Sequence, residues 1–150
     1  MEKVIQKTYV QSIHDPRLLD LSKECANIYN QAKDIFWTSL EQDEKWLTAY
    51  DIQKQLGKFP RQLIGSNSYI ATIQQFYNAV TTWRKSKNAY WKNRAKFSGE
   101  PQPPKKEKDL SPIYFKEENI LYKDGYLSLT LKRGVDPIQF RWNIDLGKPI

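Results

Sequence analysis

The chain has 150 residues and a formal net charge of +7, long enough for one domain with a real core or two small units sharing one. Apolar residues make up 39% and aromatic residues 13%, a globular composition, and no apolar run approaches the roughly 18 residues of a membrane span. The opening MEKVIQKTYVQ alternates polar and apolar residues and forms no apolar signal-peptide core, which makes the cytoplasm the default compartment; no membrane partner is expected.

Residues 3–13 alternate in period two with β-branched and aromatic side chains, the pattern of a strand. The period then changes. Leu18, Leu21, Cys25, Ile28, Ala32, Ile35 and Phe36 recur every three to four residues, which predicts a helix over 16–40, with Asp15 as N-cap and Pro16 in the first turn. Thr48, with Asp51 three residues on and Gly57 as terminator, predicts a short helix over 49–56. A third helix starts near Ser66 or Ser68, either of which can cap it, and carries an apolar stripe through Tyr69, Ile73, Tyr77, Val80 and Trp83. Its second half is aromatic and basic, and Gly99 lies past its end.

SGEPQPPKKEKD (residues 98–109) is a charged, Pro-rich break that cannot continue a helix and has little to bury. Four short strand candidates follow: SPIYF, NILY, GYLSLTL and IQFRWNI. Asp124-Gly125 between the second and third is a tight-turn signal. One strand, three helices and four strands predict an α+β fold: a small antiparallel sheet or partial barrel, residues 1–14 and 110–150, with a helical insertion, residues 15–109, after its first strand.

The charge is concentrated. Between residues 84 and 108 stand Arg84, Lys85, Lys87, Lys92, Arg94, Lys96, Lys105, Lys106 and Lys108 against Glu100 and Glu107. This segment carries the entire net charge, and the remainder balances to zero, which favours a polyanionic partner over a generally basic surface. Trp83, Tyr90, Trp91 and Phe97 interleave with the cations. Nucleic-acid binding uses both, cations on phosphates and flat rings on bases; an amphipathic helix with core aromatics and solvated lysines is the structural alternative. Trp83 and Tyr90 are expected in the core and Trp91 near the basic face. Lys105, Lys106 and Lys108 belong either to a phosphate-binding arm or to a soluble linker. Ser66, Asn67 and Ser68 form a helix N-terminus able to contact a phosphate or base, or simply to cap.

For other chemistry the inventory is thin. The single Cys25 excludes an internal disulfide, and with His14 as the one histidine there is no Cys/His set for zinc and no nucleophile-base pair. Asp145, in Ile-Asp-Leu-Gly, has the look of a first nuclease carboxylate, yet Glu41, Asp51, Glu117 and Glu118 are not placed to complete a two-metal site. Neither a cofactor nor a metal is expected.

The segment from Trp83 to Leu131 resembles the N-terminal half of the transposon-encoded TnpB family, also called OrfB-type transposases, compact RNA-guided DNA endonucleases akin to type V CRISPR effectors. The carrying residues are Phe97, Gly99, Pro101, Pro103, Pro104 and Lys105 in an F-x-G-x-P-x-P-P-K break, followed by the K-D-G-Y hairpin at Lys123 to Tyr126. LSKECANIYNQA and IQQFYNAVTTWRK are similar to two helices of that family. The resemblance implies a wedge-like β-barrel interrupted by a helical recognition domain. It also implies contacts to guide RNA, to the RNA–DNA heteroduplex and to a short duplex motif, the last near Ser66 to Ser68 and Gln74. The family's nuclease domain, with its catalytic carboxylates and zinc-binding segment, lies C-terminal to the matching region, so Asp145 falls too early to be catalytic. The expectation is a non-catalytic nucleic-acid-binding module, lacking the nuclease domain, whose RNA or DNA partner is held by the basic segment with Trp91 packed or stacked beside it. The alternative is a protein-interaction module, or a nuclease-free DNA-binding regulator.

Overall fold

A computed structural model describes residues 8, 10–57 and 61–142. Three α-helices, α1 (Arg17–Asp43), α2 (Ala49–Leu56) and α3 (Ser66–Lys92), precede three short strands, β1 (Ile120–Lys123), β2 (Tyr126–Leu129) and β3 (Ile138–Arg141). The fold is α+β.

Local chemistry accounts for the helix boundaries. The Asp15 carboxylate accepts the Arg17 backbone N–H at 2.9 Å and the Arg17 guanidinium at 3.0 Å, closing the first turn of α1. This helix runs past Leu40 to Asp43 and ends where Glu44 turns left-handed, with φ 52°. In α2 the reciprocal capping box forms as expected: Thr48 Oγ1 accepts from the Asp51 N–H at 3.2 Å, and Asp51 Oδ2 accepts from the Thr48 N–H at 3.1 Å. Neither Ser66 nor Ser68 caps α3; Gly65 precedes it without a side-chain cap. Its far end stops at Lys92, well before Gly99, because Asn93 leaves helical geometry and a short 3-10 turn, Arg94–Lys96, folds the chain back.

Helices α1 and α3 lie side by side in the same direction, since Tyr29 meets Phe76 (5.4 Å between ring centroids) and, further along both, Trp37 meets Trp83 (5.6 Å). Phe36 and Phe76 are fully buried and packed edge-on. Each such ring contributes about 2–3 kcal/mol through burial, plus about 1 kcal/mol from edge-to-face packing. The connection through α2 adds Leu47 and Ile52 to this core, and Leu131 and Ile138 from the sheet side join the same cluster.

The sheet sits at the N-terminal end of the helix pair. Lys132 N–H donates to Leu63 O at 2.7 Å, and the Arg17 guanidinium donates to Asp136 O at 2.6 Å and Pro137 O at 3.1 Å. Its order is β1-β2-β3, antiparallel, with Lys123 opposite Tyr126 and Leu127 opposite Phe140. The Asp124-Gly125 turn has φ of 54° and 79°, the left-handed pair a two-residue hairpin requires and the reason glycine stands second.

Of the two forms expected on the β side, a small antiparallel sheet or a partial barrel, the described residues form the first, open and three-stranded, and one expected strand is absent. SPIYF is not a strand: Pro112 has no N–H for a ladder, Ser111 is held by Ser22, and Tyr114 O accepts from Ser68 Oγ at 2.7 Å. Helix side chains thus take the place of a neighbouring strand. The strand expected over 3–13 lies mostly outside the described residues, and Thr8 and Val10 to Ile13 are irregular.

Candidate nucleic-acid interface

A helix of 27 residues spans about 40 Å. The sheet therefore lies far from the end of α3 where the basic residues collect. Arg84, Lys85, Lys87 and Lys92 are on its last turns, with Arg94 and Lys96 on the 3-10 turn beyond. Cations there also complement the negative end of the helix dipole.

Several of these cations lie over aromatic rings. Arg84 is 4.7 Å from the centroid of Trp46, Lys87 is 5.1 Å from Trp83, and Arg94 is 4.2 Å from Trp91 and 6.0 Å from Tyr90. Trp83 is half-buried and packs against the core as expected, whereas Trp91 is 53% exposed. Tyr90 does not join the main core. It packs edge-on against Trp91 at 5.6 Å and Phe97 at 5.8 Å, forming a small aromatic cluster at the helix end. Lys85, Lys92, Lys96 and Lys106 have no ring, carboxylate or carbonyl partner among the described residues, so their ammonium groups are available to an external anion.

The Pro-rich stretch is neither a free arm nor an unattached linker. It runs back from the end of α3 toward the sheet as an extended strap, antiparallel to α1. Trp83 Nε1 donates to Pro101 O at 3.3 Å and Trp37 Nε1 to Pro104 O at 3.2 Å. Asn30 donates to Lys108 O at 2.8 Å and accepts from the Lys108 N–H at 2.9 Å. Lys33, only 8% exposed, donates from Nζ to Lys105 O at 3.3 Å and lies 3.5 Å from Asp34. Lys105 and Lys108 are themselves engaged: Lys105 pairs with Glu41 at 2.9 Å and lies 4.5 Å from the Trp37 centroid, and Lys108 lies 4.1 Å from that of Tyr29. Of the three strap lysines, Lys106 alone is unengaged among the described residues.

The start of α3 is also committed to the fold. Ser68 is 3% exposed with its hydroxyl on Tyr114 O, and Asn67 Nδ2 donates to Glu118 Oε1 at 2.7 Å and Asn119 Oδ1 at 2.8 Å. Ser66 accepts from the Arg61 guanidinium at 3.3 Å. Gln74 is exposed, bonded through Nε2 to Asn78 Oδ1 at 2.8 Å, and borders a shallow depression of about 440 Å³ shared with Asn67, Ile70 and Tyr114. The loop leading into α3 is fixed by Glu24, whose carboxylate accepts the backbone N–H groups of Gln62, Leu63 and Ile64 at 3.0–3.2 Å.

The structure brings Arg84 to Lys96 and the strap to one end and one flank of the helix pair and leaves Ser66, Asn67 and Ser68 near the sheet. Sequence reasoning missed Tyr29, Trp37 and Trp46 as ring partners and Asn30 and Lys33 as holders of the strap. A signal existed in Trp37 and Trp46, large aromatics beside polar residues such as Asp34 and Glu44. Among the described residues no group of three or more His, Cys, Asp or Glu is gathered as a metal site; Asp145 lies outside them. Burial pushes the Cys25 thiol up to about 11, the signature of an inert core cysteine. No described helix is long and apolar enough to cross a membrane. Compared with known proteins, the chain matches no family model, no curated protein and no solved structure.

Proposed function

We propose that this chain is a non-catalytic nucleic-acid-binding module, of the kind formed by the N-terminal half of a TnpB-like RNA-guided nuclease and acting in the cytoplasm. The observation that carries the reading is the co-location of cations and rings at the end of α3 and along the flanking strap. Lys85, Lys92, Lys96 and Lys106 are free to take phosphates, Arg84, Lys87 and Arg94 are held in place over Trp46, Trp83 and Trp91, and the exposed Trp91 stands beside them. Phosphate neutralisation with counterion release supplies the affinity, and ring-backed guanidinium groups fix the register. On this reading the three-stranded sheet is part of a wedge-like barrel completed by further strands.

The test is a polarisation titration with structured RNA and with duplex DNA across a salt series. Affinity should fall steeply with salt, and charge reversal at Arg84, Lys87 and Arg94 together should reduce it at least tenfold. Salt-independent binding, or indifference to the reversal, refutes the reading.

One observation favours the protein-interaction alternative. Strand β1 is exposed along its whole length, with Leu121 and Tyr122 in solvent on an edge unpaired among the described residues. Copurification with a protein and no nucleic acid, seen as a low 260/280 nm absorbance ratio, would support it.

A further inference from the structure

Where the strap crosses α3 it leaves a groove of about 500 Å³, within the range of small-ligand sites. On one side it is lined by Gln75, Asn78, Thr82 and Ser86 of α3, spaced so that they share one face of the helix; on the other stand Pro101, Gln102 and Pro104 of the strap. Trp83 also lines it, its ring orientation set by the indole hydrogen bond to Pro101 and the contact with Trp37. Gln75 Oε1 is buried without a hydrogen-bond partner, although buried amide atoms are ordinarily satisfied.

From these features we infer that the groove receives a single unpaired nucleobase of a bound RNA. This rests on the nucleic-acid reading above and adds what part of the ligand is recognised. The Asn78 amide, its Oδ1 taken by Gln74, keeps its Nδ2 donor, and the Gln102 amide, its Nε2 on Glu100 O, keeps its Oε1 acceptor, so the two walls together present one donor and one acceptor to the edge of a base. An indole and two proline rings offer flat apolar contact to a base taken out of its stack, the way single-stranded RNA is commonly read. Lys87, over the Trp83 ring, and Lys85 on the same stretch of helix supply cations for the flanking phosphates. A bulged nucleotide offers the groove an unstacked base, whereas a fully paired duplex keeps its bases stacked inside the helix.

The experiment compares two RNA hairpins of equal length, one fully paired and one carrying a single 2-aminopurine bulge, by polarisation and 2-aminopurine fluorescence at fixed salt. The bulged hairpin should bind about fivefold more tightly or better, the low end of what stacking one base contributes, and its fluorescence should change on binding. Thr82→Trp, which fills the groove from an exposed position, should abolish the preference and leave the paired hairpin's affinity unchanged. Asn78→Ala, also at an exposed site, should reduce the preference. Equal affinities of the unsubstituted chain for both hairpins, with binding still salt-dependent, would overturn the inference and leave the nucleic-acid reading standing. Preference unaffected by Thr82→Trp would also overturn it. Failure to bind either hairpin removes both.

Discussion

Trp37 holds Pro104 by an indole N–H···O=C bond of 3.2 Å, and the same ring lies 4.5 Å beneath the ammonium of Lys105. One side chain thus fixes both the backbone and the charge of the strap. Asn30 makes a comparable attachment lower on α1, with both its amide donor and its acceptor on the Lys108 backbone. Asn30→Ala leaves that N–H and C=O without their partner, and should cost about 1–3 kcal/mol in urea denaturation. Trypsin should also cut the variant faster after Lys105, Lys106 or Lys108, because the strap opens more often. Unchanged cleavage would mean that the strap is not held from this side.

The basic residues should divide into two experimental groups. Lys92 and Lys106 have no partner among the described residues, so Lys92→Ala and Lys106→Ala should leave thermal stability unchanged while each lowers the slope of log affinity against log salt by about 1. Lys108 covers Tyr29, so Lys108→Ala should lose about 0.5–1 kcal/mol of stability with little effect on that slope. Equal behaviour of the two groups in both assays would contradict the division.

Glu24 gathers three backbone N–H groups ahead of α3. Glu24→Gln offers one acceptor oxygen in place of two charged ones, and should cost about 1.5–3 kcal/mol of unfolding free energy in a urea titration. The salt dependence of nucleic-acid binding should be unaffected, since the cations at the far end of α3 do not depend on this loop.

Acid should weaken the start of α1 and α2 first. The Arg17 side chain, with its backbone N–H, holds the Asp15 carboxyl below its ordinary value of 3.8, and the Thr48 backbone N–H, then its hydroxyl, does the same for Asp51. Folded carboxyls with depressed pKa values contribute stability that is present above the unfolded value and lost as pH falls through the folded one. The melting temperature should therefore fall as pH drops below about 4, and Asp15→Asn combined with Asp51→Asn should flatten that fall. A double variant with the unsubstituted profile would place the acid sensitivity elsewhere.

The helices were legible because their signals are local. Period, the Thr48 and Asp51 pair and the Asp124-Gly125 turn each act within a few residues, and each appears where the sequence puts it. SPIYF was misread because alternating apolar residues look alike whether a strand or the Ser22 and Ser68 hydroxyls satisfy the backbone. The end of α3 was misplaced because Asn93 breaks the helix while Phe97 folds back on Tyr90, a tertiary contact with no sequence period. Counting charge located the cationic segment but could not separate engaged lysines from free ones. Whether Lys108 meets Tyr29 depends on a strap docking against a helix far away in sequence.

That distance bears on how the molecule assembles. The bonds from Asn30 to Lys108 and from Ser22 to Ser111 close loops of 78 and 89 residues, longer than those joining α1 to α3 at Tyr29 and Phe76. Such closures cost more chain entropy, and the strap has no docking surface until the two helices lie together. The Pro-rich stretch is therefore a latch that closes late, and substitutions in it should act chiefly on the unfolding arm of a chevron plot, leaving the folding arm nearly unmoved.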